Sequence, residues 1–156
     1  MFYMYFHSPI GDLTLICNNH ALTGLHFGKI DVKNAIYNPN HSILIACIQQ
    51  LNEYFNGTRT QFTIPLQPKG TAFQQKVWQQ LCQIPYGNTK TYKQIATLIG
   101  SPKAGRAVGG ANHNNPIAII IPCHRVIAQN GLGGYGGGIK NKIFLLQLEK
   151  ESLTKI

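Results

Sequence analysis

The chain has 156 residues, 44% of them hydrophobic and only 12% charged, with a formal net charge of +9. That length and apolar share can bury a core in one domain or two small ones, which excludes a disordered chain. No apolar run reaches the ~20 residues of a membrane span, and the opening Met1-Phe-Tyr-Met-Tyr-Phe6 carries no basic stretch, so neither a membrane helix nor a secretory leader is expected.

The layout of the charge says more than its size. All five acids lie toward the ends: Asp12, Asp31 and Glu53, then Glu149 and Glu151. Between Tyr54 and Leu148 there is none, while ten of the fourteen Lys and Arg fall in that stretch. A one-signed half is the electrostatic footprint of a nucleic-acid binder. Cys17, Cys47, Cys82 and Cys123 are scattered without a C-x-x-C, which is neither a zinc spacing nor a secreted disulfide framework. A cytoplasmic, reducing setting is expected, where a thiol stays usable.

Residues 2–7, 12–17 and 21–27 are short β-prone runs punctuated by Ser8-Pro-Ile-Gly11 and Asn18-Asn-His20, and they predict a small antiparallel meander. From Ser42 to Phe55, the residues Leu44, Cys47, Ile48, Leu51 and Phe55 recur at helical spacing and stop at Asn56-Gly57. Cys47 belongs to that apolar stripe and is expected in the core. Residues 60–66 suggest one more strand, and Pro65 to Gly70 a linker. Nothing in this half carries chemistry.

The second half opens with capping signals. Thr71 with Gln74, and Thr91 with Gln94, are capping-box patterns that start helices over Val77–Leu81 and Ile95–Ile99. Ser101-Pro102 reads as an N-cap with proline at the first helical position, beginning a third helix from Lys103 to about His113. Two short helices joined at Gly100-Ser101 make a helix-turn-helix, whose second member would meet DNA. That member is nearly bare: Ala104, Gly105, Ala107, Gly109, Gly110 and Ala111 cannot reach base edges, and Arg106 is its one long central cation. Small residues let a helix backbone approach closely, so a minor-groove helix with little sequence reading is expected, against the plainer alternative of tight core packing.

The apolar run Ile117–Ile121 leads into Pro122-Cys-His-Arg-Val126. A cysteine beside a histidine at a dry strand end is a candidate activated nucleophile, although a lone cysteine in an apolar stretch is more often a small core residue. The glycine-dense Gly131 to Gly138 follows, with Tyr135 as its aromatic. It contains G-x-G-x-x-G without a surrounding βαβ unit, so a flexible lid over Cys123 is the better reading. A last amphipathic helix, about Lys140 to Lys150, carries Glu149.

Ile121-Pro-Cys-His-Arg-Val126, with Arg106-Ala-Val-Gly-Gly-Ala111 and Asn114-Asn-Pro116 ahead of it, closely resembles the O6-alkylguanine-DNA alkyltransferases. The similarity is dense from Thr71 to Glu149 and looser through Ser8–Gly11 and Gly24–Phe27. The resemblance implies a ribonuclease-H-like α/β domain with a small antiparallel sheet at 1–67. It implies a mainly α, winged helix-turn-helix domain at 68–156. The activity implied is direct DNA repair by a single-turnover methyltransferase, with no cofactor. Its substrate would be O6-alkylguanine in double-stranded DNA, flipped out through the minor groove; O4-alkylthymine, and cooperativity of the monomer along DNA, are left open.

Residue by residue, the resemblance makes Cys123 the alkyl acceptor, His124 its base through a water, and Glu149 the acid that orients the imidazole. It makes Tyr92 the residue that holds and protonates the guanine, and Asn115 a brace for the site. Arg106 would fill the gap left by the flipped base, with Tyr92, Lys93, Ser101 and Ala107 also on DNA. Val126, Tyr135, Gly136 and Gly137 would form the substrate pocket. Some relatives hold a structural zinc; here only Cys17 and His26 are placeable, so no metal is expected. A Cys-His hydrolase, a non-repairing damage sensor and a winged-helix repressor are the rival readings. The first leaves the acid-free half unexplained, the second would lack the cysteine, and the third would need base-reading side chains.

Overall fold

The computed structural model describes residues 1–154, in two units. The first is Met1–Lys69 with Pro116–Ala118. Its early runs form strands β1 (Phe2–Ser8), β2 (Gly11–Cys17) and β3 (Leu22–Phe27), each antiparallel to the next. The β1–β2 turn follows from its residues: Ser8 Oγ donates to the Gly11 carbonyl and accepts from the Ile10 amide, while Gly11 takes φ +97°. β2 is central, and Leu13 through Cys17 are all buried. The one polar member, Thr14, donates to the Gly28 carbonyl and accepts from the Ile30 amide, so its hydroxyl is satisfied.

Two differences from the sequence reading appear here. A fourth strand, β4 (Ile36–Tyr37), pairs parallel to β1, so the sheet is mixed, in the order β3-β2-β1-β4. Two residues are too few to show an alternating pattern, and Asn34 reaches this edge through a left-handed φ of 59°. The strand expected at 60–66 does not form. Only Leu66 bridges Leu22, because Pro65 and Pro68 have no N–H to extend a ladder.

Helix α1 (Ser42–Phe55) buries Leu44, Cys47, Leu51 and Tyr54. It ends in a Schellman motif: Gly57, at φ +77°, donates to Tyr54, and Thr58 to Glu53. Burial pushes the Cys47 thiol up to about 12, as befits an inert core residue. The Cys17 sulfur lies 3.5 Å from His41 Nδ1, and among the described residues no three His, Cys, Asp or Glu gather as a metal site.

The second unit is Gly70–Asn115 with Ile119 onward. Helix α2 (Ala72–Leu81) begins at the Thr71–Gln74 capping box and buries Val77, Trp78 and Leu81. Strand β5 (Lys90–Thr91) leads into α3 (Tyr92–Leu98), which begins at the Thr91–Gln94 box. α3 closes on a second Schellman motif, with Gly100 at φ +79° donating to Thr97 and Ser101 donating to Ala96. Helix α4 (Gly105–His113) is tied to α2 by Trp78 Nε1 donating to the Ala111 carbonyl at 2.9 Å. A two-residue strand β6 (Val126–Ile127) pairs parallel with β5, and α5 (Ile139–Thr154) ends the described chain. No helix is long and apolar enough to cross a membrane among the described residues.

Helix α4 starts later than its signals suggest. Ser101 does not cap it; the Ala104 amide donates to the Ser101 carbonyl in a turn holding Pro102, and the N-cap is Ala104, without a side-chain bond. The Ser101 amide is already engaged in closing α3, which holds that residue in the preceding turn.

Candidate active site

The approach to Cys123 is a turn rather than the expected strand end. Ile117 makes a single bridge to Leu25, and Ile119 then sits at φ 70°, an outlying conformation for a β-branched residue. The Cys123 amide donates back to the Ile121 carbonyl at 2.8 Å around Pro122, an inverse γ-turn, and Cys123–Arg125 form one 3₁₀ turn. Side chains from two elements brace this backbone. Asn115 Nδ2 donates to the Ile121 carbonyl at 2.8 Å, and Asn112 Nδ2 to the Cys123 carbonyl at 3.3 Å. The thiol is 5% exposed. Burial raises its pKa, while hydrogen bonds from Asn115 and Tyr135 and the positive charge of Lys142 pull the other way.

The 3₁₀ turn sends His124 and Arg125 inward to one carboxylate. His124 Nε2 lies 2.6 Å from Glu149 Oε2; Arg125 donates to both carboxylate oxygens, from Nε at 2.8 Å and Nη2 at 3.1 Å. All three side chains are buried. Arg125 Nη1 also donates to the Ile84 carbonyl, and its guanidinium lies over the Tyr86 ring. Burial alone would raise Glu149, but hydrogen bonds from His124 and Arg125, the charge of Arg125 and that of His124 once protonated in acid prevail and hold it at about 2. Burial lowers His124, more than Glu149 raises it, so the imidazole rests neutral.

These facts fix the tautomer. An ionised carboxylate only accepts, so Nε2 carries the proton and Nδ1 is left with the lone pair. Nδ1 is buried and has no hydrogen-bond partner among the described residues. A neutral imidazole with its base nitrogen free, one residue from a protonated thiol, is equipped to take that proton.

A cavity of about 380 Å³ is lined by Tyr92, Gly109, Asn112, His113, Gly134, Tyr135 and Gly136. Tyr92, the first residue of α3, fits between glycines. A Cβ on Gly109 would lie 4.0 Å from its ring, and one on Gly133, which sits at φ +72°, only 3.0 Å from its hydroxyl. Burial raises the Tyr92 pKa and the Cys123 charge adds to it, so its hydroxyl keeps its proton and can donate. Tyr135 is pushed higher still by burial and by Cys123. Val126 is buried and its carbonyl accepts from Lys142 Nζ; the Gly137 carbonyl accepts from Asn141.

Apart from Tyr92, the residues expected on DNA lie outside this cavity lining. Lys93, Ser101, Arg106 and Ala107 are all exposed, as is Gly110. A Cβ added at Gly105 or Gly110 would meet nothing within 4 Å. Core packing therefore accounts only for the inner face of the helix, where Val108, Ala111 and Asn112 are buried, and these glycines are not packed in a core. In a helix, each costs about 1 kcal/mol relative to alanine with no packing return.

Arg125, Lys142, Asn112 and His113 have no role in the sequence reading. Arg125 had only a faint signal, its place next to His124. Lys142 had a fainter one: it occupies the same inward stripe of α5 as Leu145, Glu149 and Ser152.

Comparison with known proteins agrees across the chain. Residues 1–68 match the family model for the ribonuclease-like domain of 6-O-methylguanine DNA methyltransferase, and residues 72–151 match the one for its DNA-binding domain. The chain is 48% identical to the methylated-DNA–protein-cysteine methyltransferase of Methanosarcina barkeri, over 98% of this chain and 99% of that protein. It is 44% identical to the constitutive enzyme of that name from Bacillus subtilis, over 97% and 96%. The crystal structure of Mycobacterium tuberculosis OGT in complex with DNA superposes with a TM-score of 0.92 at 47% identity, covering 97% of this chain and 94% of that one.

Proposed function

The chain belongs to the 6-O-methylguanine DNA methyltransferase family and repairs alkylated DNA as a methylated-DNA–protein-cysteine methyltransferase; we propose that Cys123 is the acceptor and that its neighbours divide the chemistry as follows. His124 Nδ1 receives the thiol proton, directly or through a water, and Glu149 stabilises the imidazolium that results. The sulfur attacks the alkyl carbon in line; the S–C bond forms, the C–O6 bond breaks, and its electron pair passes into the purine. Tyr92 supplies a proton to the ring, so guanine departs neutral. The product thioether is stable, which makes each molecule act once.

The buried thiol cannot reach a base inside a duplex, so the guanine is flipped into the cavity beside Tyr92 and Tyr135 at a cost of about a few kcal/mol. The bare outer face of α4 suits close approach to the minor groove. Arg106 fills the vacated stack, and Lys93, Ser101 and Ala107 lie on the same DNA.

The observation that carries this reading is the tautomer: Glu149 holds Nε2 at 2.6 Å, which leaves Nδ1 of the residue next to Cys123 buried and without a hydrogen-bond partner among the described residues. The test is intact-protein mass after mixing with excess duplex bearing one O6-methylguanine. A gain of one methyl, stopping at one per protein and mapping to the Cys123 peptide, is expected. In Cys123→Ala no gain is expected, with duplex affinity nearly unchanged. Methylation elsewhere, or loss of affinity in the variant, would remove Cys123 from this role.

A further inference from the structure

Lys142 is a charged side chain on the inward face of α5 with 0% exposure, and among the described residues it forms no ion pair. Its Nζ donates to three carbonyls: Val126 and Leu132, each at 2.6 Å, and Gly134 at 3.1 Å. Three acceptors match the three protons of an ammonium; a neutral amine would turn a lone pair toward one of the oxygens. The site therefore holds the lysine charged. Burying such a charge is costly, and a neutral amide could have tied the loop with less penalty.

The surrounding charges suggest what it is for. His124 and Arg125 on the cysteine's own turn, Tyr92 on α3, Tyr135 in the glycine-rich loop and Glu149 on α5 are the titratable or charged groups about the sulfur; His113 of α4 borders the same cavity. Arg125 is matched by Glu149, and His124 rests neutral. Among the described residues, that leaves Lys142 as the uncompensated positive charge until the thiol ionises. Lys142 lowers the Cys123 pKa, and Cys123 raises that of Lys142 in return.

We propose that Lys142 is a positioning residue for alkyl transfer: its ammonium clamps the glycine-rich loop to the backbone just after the Cys123 turn and stabilises the thiolate as the sulfur loses its proton. The inference rests on Cys123 as acceptor, but its test needs neither DNA nor repair. The test is the rate of Cys123 alkylation by iodoacetamide across pH, followed by peptide mapping, in the wild type, Lys142→Met and Lys142→Arg.

Loss of the charge in Lys142→Met should move the Cys123 titration up and slow reaction near neutrality by up to about tenfold. Lys142→Arg, which restores the charge, should recover much of the profile. An unshifted midpoint in a folded Lys142→Met protein, checked by circular dichroism, would overturn the proposal. If that variant does not fold, the wild type provides the same test through the ¹⁵N titration of Lys142 Nζ before and after Cys123 is alkylated. The thioether removes the negative charge, so Lys142 should deprotonate at lower pH after alkylation. Identical titrations would refute the coupling. If both tests succeed while no methyl is taken from DNA, the acceptor reading fails and the coupling stands.

Discussion

Glu149 is the residue on which the site's protonation turns. Its carboxyl is held at about 2, below the ordinary 4.5, so it stabilises the fold above the ordinary value and loses that contribution as pH falls toward 2. The shift corresponds to something on the order of 3 kcal/mol. His124, whose pKa is lowered by burial, acts earlier: below about 6.5 the unfolded chain takes up a proton that the folded imidazole refuses. Stability measured by urea unfolding should therefore decline from near neutrality downward, with a second decline through the carboxylate range. Glu149→Gln should abolish the second decline and slow single-turnover methyl transfer by at least about tenfold, because a neutral amide no longer stabilises the imidazolium. An unchanged acid profile in that variant would mean that the carboxylate is not ionised as described. Glu149 was legible in the sequence as one of two acids after Glu53. That Arg125 shares it was not, because the two lie 24 residues apart in the chain.

At the scale of elements, the local signals divide into those that act and those that are overridden. Thr71 and Thr91 both form complete capping boxes. Ser101 sits before a proline in an equally good pattern, yet it closes α3 instead of opening α4. Thr91→Ala should thus cost about 1 kcal/mol in stability, and Ser101→Ala close to nothing. Equal losses would restore Ser101 as a cap. Helix α4 makes the functional case: with open space around Gly110, Gly110→Leu should leave the melting temperature no lower, since leucine is the better helix former. The same change should weaken duplex binding about tenfold or more if this face lies in a narrow groove. Unaltered affinity, read by fluorescence anisotropy, would place DNA on another face.

Across the whole molecule, the charge is the broadest signal and the least specific. A stretch with ten cations and no acid predicts duplex affinity that falls steeply and linearly in log salt. Lys93→Ala should reduce that slope by about one, with little effect on reaction with free O6-methylguanine. Arg106→Ala should reduce repair of duplex far more than reaction with the free base; equal losses on both would remove its role in flipping. Affinity insensitive to salt would mean that the basic stretch does not meet phosphate.

The sequence by itself determined the starts of α2 and α3 and the ends of α1 and α3, though not the start of α4, because capping boxes and Schellman glycines act over three to five residues, within reach of a local reading. It also determined the Cys123-His124 pair, the bare helix and the segregated charge, which are compositional. The tertiary structure alone decided the rest. It turned the apolar run before Cys123 into a strained turn, added a strand too short to show a pattern, and refused one at 60–66 where prolines break the ladder. It also brought Arg125 onto the carboxylate that His124 shares and buried Lys142 under three carbonyls. Those features depend on which backbone groups the folded chain leaves without water, and a burial cost of that kind exists only once the chain has closed around them.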